Sequence, residues 1–328
     1  MQAMKLAESY IGKETAVEKI ETAFGASVDF DTCAHSTKQM QAISDGVNEI
    51  IRNNVRSNKF AMKNFCFTID DNIRFLKEIT EQNLDSLFSH PYVAMLRRLH
   101  ERFGVKIQLN LFYRMEQFDL SQMIEKYKNE WLESAGWLKL SFHSDFENVS
   151  PYANSDYEEV FGDCHKVNEQ ILRFASPASL AKTTTIHYCQ TTADGVRALA
   201  DSGIQGLLGL FGSPERPMMS YDVGEEAAVK IRNGAFLSIN GMSYAAIDMV
   251  INLYKKDAVL PTLTPFLSRQ LVCVMIHEQY FYEDYMGYQA DFEEKLALVF
   301  EFLSVQGYQS CFFEELICHK YRILPHKI

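Results

Sequence analysis

Asn64-Phe65-Cys66-Phe67-Thr68-Ile69-Asp70-Asp71-Asn72 is an apolar run of strand length that ends in two adjacent carboxylates. Phe, Thr and Ile in so short a run favour a buried β-strand. From Asn64 onward, short apolar runs alternate with helical patterns, the mark of parallel strands joined by crossover helices. The candidate strands are residues 64–69, 105–112, 137–142, 183–188, 204–211, 235–240, 271–276 and 308–313. Seven to eight parallel strands are enough to close into a (β/α) barrel filled by its own side chains, so the fold class is α/β. An open doubly wound sheet is the alternative, because strand order is not written in a single sequence. Between the strands, Leu120, Met123, Ile124, Tyr127 and Trp131 share one helical face that Gly136 stops. Phe292, Leu296, Val299, Phe300 and Leu303 form a second stripe before Gly307, and Ser155 to Glu158 has the form of a capping box. Residues 212–270, with Pro214, Pro217, Pro261 and Pro265, are the least regular part. Residues 1–60 are polar and helix-like, which predicts an N-terminal helical extension ahead of a barrel over 61–328.

The chain has 328 residues, 47% hydrophobic and 23% charged, enough apolar surface for a sizeable core and too much for a disordered tail protein. No apolar run approaches the ~18 residues of a membrane span. The 43 acidic and 32 basic side chains give a net charge of −11, which repels phosphate backbones and anionic lipid, so neither nucleic acid nor membrane is an expected partner. The first ten residues place a charge where an export signal needs its apolar stretch, and a cytoplasmic location is the expectation. Seven cysteines, odd in number and without Cys-x-x-Cys spacing, suit small buried hydrophobes better than disulfides or a thiolate zinc site.

In parallel α/β folds the residues just past the carboxyl end of each strand face the site. Those residues here are Asp70 and Asp71, His143, His187, His277 and Glu278, and Glu314 and Glu315. A carboxylate there also serves to cap a helix, and a histidine to satisfy backbone, so it is the joint placement that points to a site. Adjacent aspartates suit a divided task, one holding a cation and the other taking a proton from water. His143 and Glu147, four apart, reach one point if the segment turns once like a helix. His277 suits a general acid, since imidazole is protonated near neutral pH.

At these residues the chain resembles the polysaccharide deacetylase family, metal-dependent carbohydrate esterases with a distorted (β/α) barrel, over roughly residues 60–320. The family's Thr-Phe-Asp-Asp-Gly corresponds to Thr68-Ile69-Asp70-Asp71-Asn72, which implies Asp70 as catalytic base and Asp71 as metal ligand. Its His-Ser/Thr-x-x-His motif corresponds to His143-Ser144-Asp145-Phe146-Glu147, with Glu147 in place of the second His. The implied ligands are Asp71, His143 and Glu147; His187 or His165 is the alternative source of the third. The implied cofactor is a divalent ion, zinc or, for so hard and anionic a set, Mn, Fe or Co. The family's Arg and prolines after the fourth strand are missing from Thr185-Ile186-His187-Tyr188-Cys189. Its apolar strand ending in His is matched by Val272 to His277, which implies His277 as the acid that protonates the leaving group.

The resemblance implies a hydrolase that removes an acetyl group from an amino sugar or acetylated carbohydrate; by their places at strand ends, His187, Tyr113, Glu278 and Tyr280 are the residues expected against the substrate. Two other readings stay open. One is a carbohydrate-binding barrel without turnover; the other is a glycoside hydrolase pairing Asp70 with Glu278 or Glu314.

Overall fold

Strand β1 (Lys63–Asn72) carries Phe65, Phe67 and Ile69 on one face and Cys66, Thr68 and Asp70 on the other, all six buried. Burial on both faces is what a central parallel strand requires. The Phe face meets helix Phe292–Val305, where Phe300 stacks on Phe65 at 6.0 Å and meets Phe67 edge-on at 4.9 Å. That helix buries Phe292, Leu296, Val299, Phe300 and Leu303 as the stripe predicts, and Gly307 follows it at φ +80°.

The computed structural model describes residues 63–148, 151–212 and 221–317. The expected helical extension at 1–60 lies outside them, as do Pro214 and Pro217. Further strands are β2 (Ile107–Phe112), β3 (Arg114–Met115), β4 (Phe118–Asp119), β5 (Leu138–Ser144), β6 (Thr183–Thr184), β7 (Gly206–Gly209), β8 (Leu237–Ile239), β9 (Met242–Ala246), β10 (Met249–Val250), β11 (Leu271–His277) and β12 (Tyr308–Ser310). The fold is mixed α/β around a parallel central sheet ordered β10-β11-β1-β2-β5, with β12 beside the first residues of β1. A second sheet runs β6-β7-β9-β8, parallel except for β8. Between the sheets, Leu140 N–H donates to the Ser179 carbonyl and Ala181 N–H to that of Leu140, both at 2.8 Å. At the other side Ile247 N–H donates to Gly209 O and Asp248 N–H to Cys273 O, again at 2.8 Å.

Three expectations need correction. The strand expected at 235–240 is antiparallel, because Asn240 and Gly241, at φ +51° and +85°, turn the chain back into β9 as a hairpin. The helix expected through Leu120–Trp131 is broken into 3-10 turns at Leu120–Gln122 and Glu125–Tyr127 before helix Lys128–Ser134. Met123 and Ile124 are extended between them, yet Leu120, Met123, Tyr127 and Trp131 are buried all the same. The cap of helix Tyr157–Phe174 is Asp156, which accepts from Glu159 N–H at 3.0 Å, one residue beyond the expected Ser155.

Cys66, Cys164, Cys189, Cys273 and Cys311 are buried free thiols. Among the described residues no helix is long and apolar enough to cross a membrane.

Candidate metal centre and its cavity

At the carboxyl end of β1 the pairing with β2 slips between Ile69 and Asn72. The Asn72 side chain pins this bulge: its Nδ2 donates to the carbonyls of Ile69 (2.5 Å) and Asn110 (3.2 Å), while Tyr92 OH donates to its Oδ1 at 2.9 Å. Asp71 sits on the bulge in the left-handed region, φ +61°, a conformation that Asp tolerates better than most residues. Neighbouring Asp70 and Asp71 thereby point to different partners.

Asp71 Oδ1 lies 3.0 Å from His143 Nε2, at the end of β5, and 3.3 Å from His187 Nδ1, just past β6. The two ring nitrogens are 3.1 Å apart, and all three residues are buried. His143 Nδ1 faces the Thr185 carbonyl at 2.5 Å. A carbonyl only accepts, so Nδ1 carries the proton and Nε2 turns a lone pair toward a carboxylate oxygen. Two acceptors at contact distance leave room for a cation, and Asp71, His143 and His187 form a candidate metal site. Burial works against the Asp71 charge; where protons on the two imidazoles take the place of a cation, they hold its carboxyl well below the usual range. Burial lowers His143.

Asp70 is 1% exposed and accepts from Asn110 Nδ2 at 2.7 Å. Burial pushes its carboxyl well up, the Asn110 bond opposes this, and the Asp71 charge adds to it. His277 ends β11 opposite Asp70 in register, and its Nδ1 donates to Asn252 Oδ1 at 2.9 Å. Burial lowers its pKa against the pull of Asp71. Asp70, Asp71, His143, His187, His277 and Tyr280 share a cavity of about 350 Å³ with an apolar wall that includes Leu210, Val250 and Met275. A second cavity, about 370 Å³, adjoins it at Asp71, Glu147 and Gln279 and is lined by Arg74, Arg114 and Phe146.

The remaining expected residues fall elsewhere. Glu147 is exposed and lines both cavities but is not the third member of the cluster; His187 is. The chain bends after β5 instead of making a helical turn, so four-residue spacing does not bring Glu147 back to His143. His165 is on the exposed face of its helix, paired with Glu169 at 3.2 Å. Glu278 lines the second cavity, but its carboxylate is engaged by the protein: it accepts the N–H groups of Ile73, Arg74 and Phe75 and the Tyr282 hydroxyl, capping helix Arg74–Gln82. Tyr113 lines neither cavity, and Lys166 Nζ sits 4.5 Å from its ring centroid. Glu314 bonds Lys139 and the N–H of Lys182, and Glu315 bonds Lys106. Both lie at the amino ends of β2 and β5, because β12 pairs only with the first residues of β1. Glu314 thus lies toward the opposite end of the strands from Asp70, and Glu278 is held by helix N–H groups and the Tyr282 hydroxyl. Nothing in the sequence singles out Asn110, Asn252 or Gln279, amides whose partners are supplied wholly by the fold.

No family model and no curated protein matches this chain. Several solved structures similar to it are family 4 carbohydrate esterases or polysaccharide deacetylases. The Xyl-CE4 domain of a multidomain xylanase from the hindgut metagenome of Trinervitermes trinervoides is 12% identical over 78% of this chain and 89% of that one, TM-score 0.42. A family 4 acetyl xylan esterase from Clostridium thermocellum, in complex with a cobalt ion, is 11% identical over 77% and 90%, TM-score 0.40. The 4-alpha-glucanotransferase from Thermococcus litoralis is 13% identical over 77% of this chain but only 40% of its own length, TM-score 0.49.

Proposed function

We propose that the chain is a metal-dependent hydrolase that removes an acetyl group from an amino sugar or acetylated carbohydrate. The observation that carries this reading is the meeting of Asp71, His143 and His187 in a cavity that also holds Asp70 and His277. Two imidazoles and one carboxylate fit a divalent cation, and the nitrogen-rich set suits zinc better than a set containing Glu147. Such a cation, when bound, acidifies water and offsets charge on an acyl oxygen. Asp70, beside the ligands yet not among them, takes the proton of the attacking water. His277 gives a proton to the departing amine or alcohol, its Nδ1 held by Asn252 so that Nε2 is the nitrogen free to do so. Tyr280, on the cavity wall, offers a ring face to a sugar. The products are acetate and the deacetylated carbohydrate.

The backbone bonds at Leu140, Ile247 and Asp248 support reading the two sheets as one distorted barrel with this site at its mouth. The compact unit that begins at Lys63 supports a boundary near residue 60.

Acetate release tests the reading. Protein stripped with chelator and reloaded with Zn²⁺ or Co²⁺ is incubated with N-acetylated chito-oligosaccharides and with acetylated xylan. Release by the reloaded wild type, lost on stripping and in Asp70→Asn, is expected. No acetate from either substrate contradicts it.

A further inference from the structure

We propose that two carboxamides assign the adjacent aspartates their separate tasks: Gln279 holds Asp71 as a one-oxygen ligand, and Asn110, oriented through Gln108, holds Asp70 as a hydrogen-bond acceptor. The inference rests on the metal-hydrolase reading and adds positioning residues to it.

Gln279 Nε2 donates to Asp71 Oδ2 at 2.8 Å, while Oδ1 faces the two histidines. One carboxylate oxygen is thus tied to the protein, which leaves the other to the cluster. The Gln279 Oε1 atom is buried with no hydrogen-bond partner, a cost that packing alone does not explain. The bond to Asp71 accounts for an amide at this place.

The Asp70 side is fixed from further away. Gln108 Nε2 donates to the Thr183 carbonyl at 2.9 Å and to Asn110 Oδ1 at 2.8 Å, and Thr183 Oγ1 donates to Gln108 Oε1 at 2.9 Å. The Thr183 carbonyl can only accept, so the amide of Gln108 has one permitted orientation. Its Nε2 then demands the oxygen of Asn110, which turns Asn110 Nδ2 onto Asp70 Oδ1 at 2.7 Å. Gln108, Asn110 and Thr183 are buried, so water does not compete for these bonds. The chain of orientations runs from β6 through β2 to β1 and ends on an acceptor oxygen of Asp70. Both amides are neutral, so each fixes an aspartate without cancelling its charge, and the balancing charge is left to the cation.

The test uses the full chain and Co²⁺ alone, titrated by calorimetry into chelator-stripped protein, together with acetate release from N-acetylated chito-oligosaccharide. Gln279→Met, of matching length, is expected to weaken Co²⁺ binding by about 10- to 100-fold, the usual effect of removing a partner behind a ligand. Asn110→Ser keeps a hydroxyl but is too short to reach Asp70. It is expected to leave the Co²⁺ affinity within about twofold while kcat falls by about 100-fold and KM holds, as for a misplaced general base. Gln108→Met is expected to show the same split, more weakly. A Gln279→Met protein that binds as tightly as wild type, or an Asn110→Ser protein that keeps kcat, overturns the inference alone. A wild type that takes up no Co²⁺ or releases no acetate overturns the metal-hydrolase reading and the tasks assigned with it.

Discussion

Glu278 shows how one residue ties burial to pH. Burial pushes its carboxyl up to about 7, against the lowering pull of the Tyr282 hydroxyl and three backbone N–H groups. The unfolded value is near 4.5, so the folded chain holds this proton more tightly. Stability from that source is full below the unfolded value and is lost as pH rises through about 7, in all about 3 kcal/mol. Thermal melts between pH 5 and 8 are expected to slope downward in wild type and less steeply in Glu278→Gln; equal slopes contradict the assignment. The same carboxylate marks the limit of what the sequence discloses at this scale. Asp70, Asp71, His143 and His277 are legible because strand ends announce them, and the structure brings all four to one cavity. Glu278 stands at a strand end too, yet helix N–H groups claim it. His187 is legible as a strand-end histidine, but its rank as the cluster's third member depends on the path of β6, which no local pattern records.

Elements behave likewise: those made by dense apolar runs are legible and those made by turns less so. The β8–β9 hairpin rests on Asn240-Gly241, a turn signal that the run of apolar residues on either side obscures. Gly241 is at φ +85° with open space about its Cβ position, so Gly241→Ala is strained by its backbone alone. A loss of about 1–2 kcal/mol in chemical denaturation is expected, and no loss contradicts the turn. The segment 120–131 fails differently, since apolar spacing of three and four residues fits both a helix and a string of 3-10 turns. What the spacing does disclose is burial, and Leu120, Tyr127 and Trp131 are each at most 1% exposed.

Across the whole molecule, a parallel sheet carries a polar centre at the carboxyl ends of its strands. Phe300, wedged against Phe65, Phe67 and Phe103, anchors the helix that covers β1. Phe300→Ala is expected to cost about 3–5 kcal/mol in denaturant unfolding, and a loss under 1 kcal/mol contradicts that role. The measurement that bears most directly on the central claim is calorimetric titration of stripped protein with Zn²⁺, in wild type, His187→Ala and Glu147→Ala. One ion per chain in wild type and in Glu147→Ala, with uptake lost in His187→Ala, is the expected result. Uptake that survives in His187→Ala and vanishes in Glu147→Ala contradicts it.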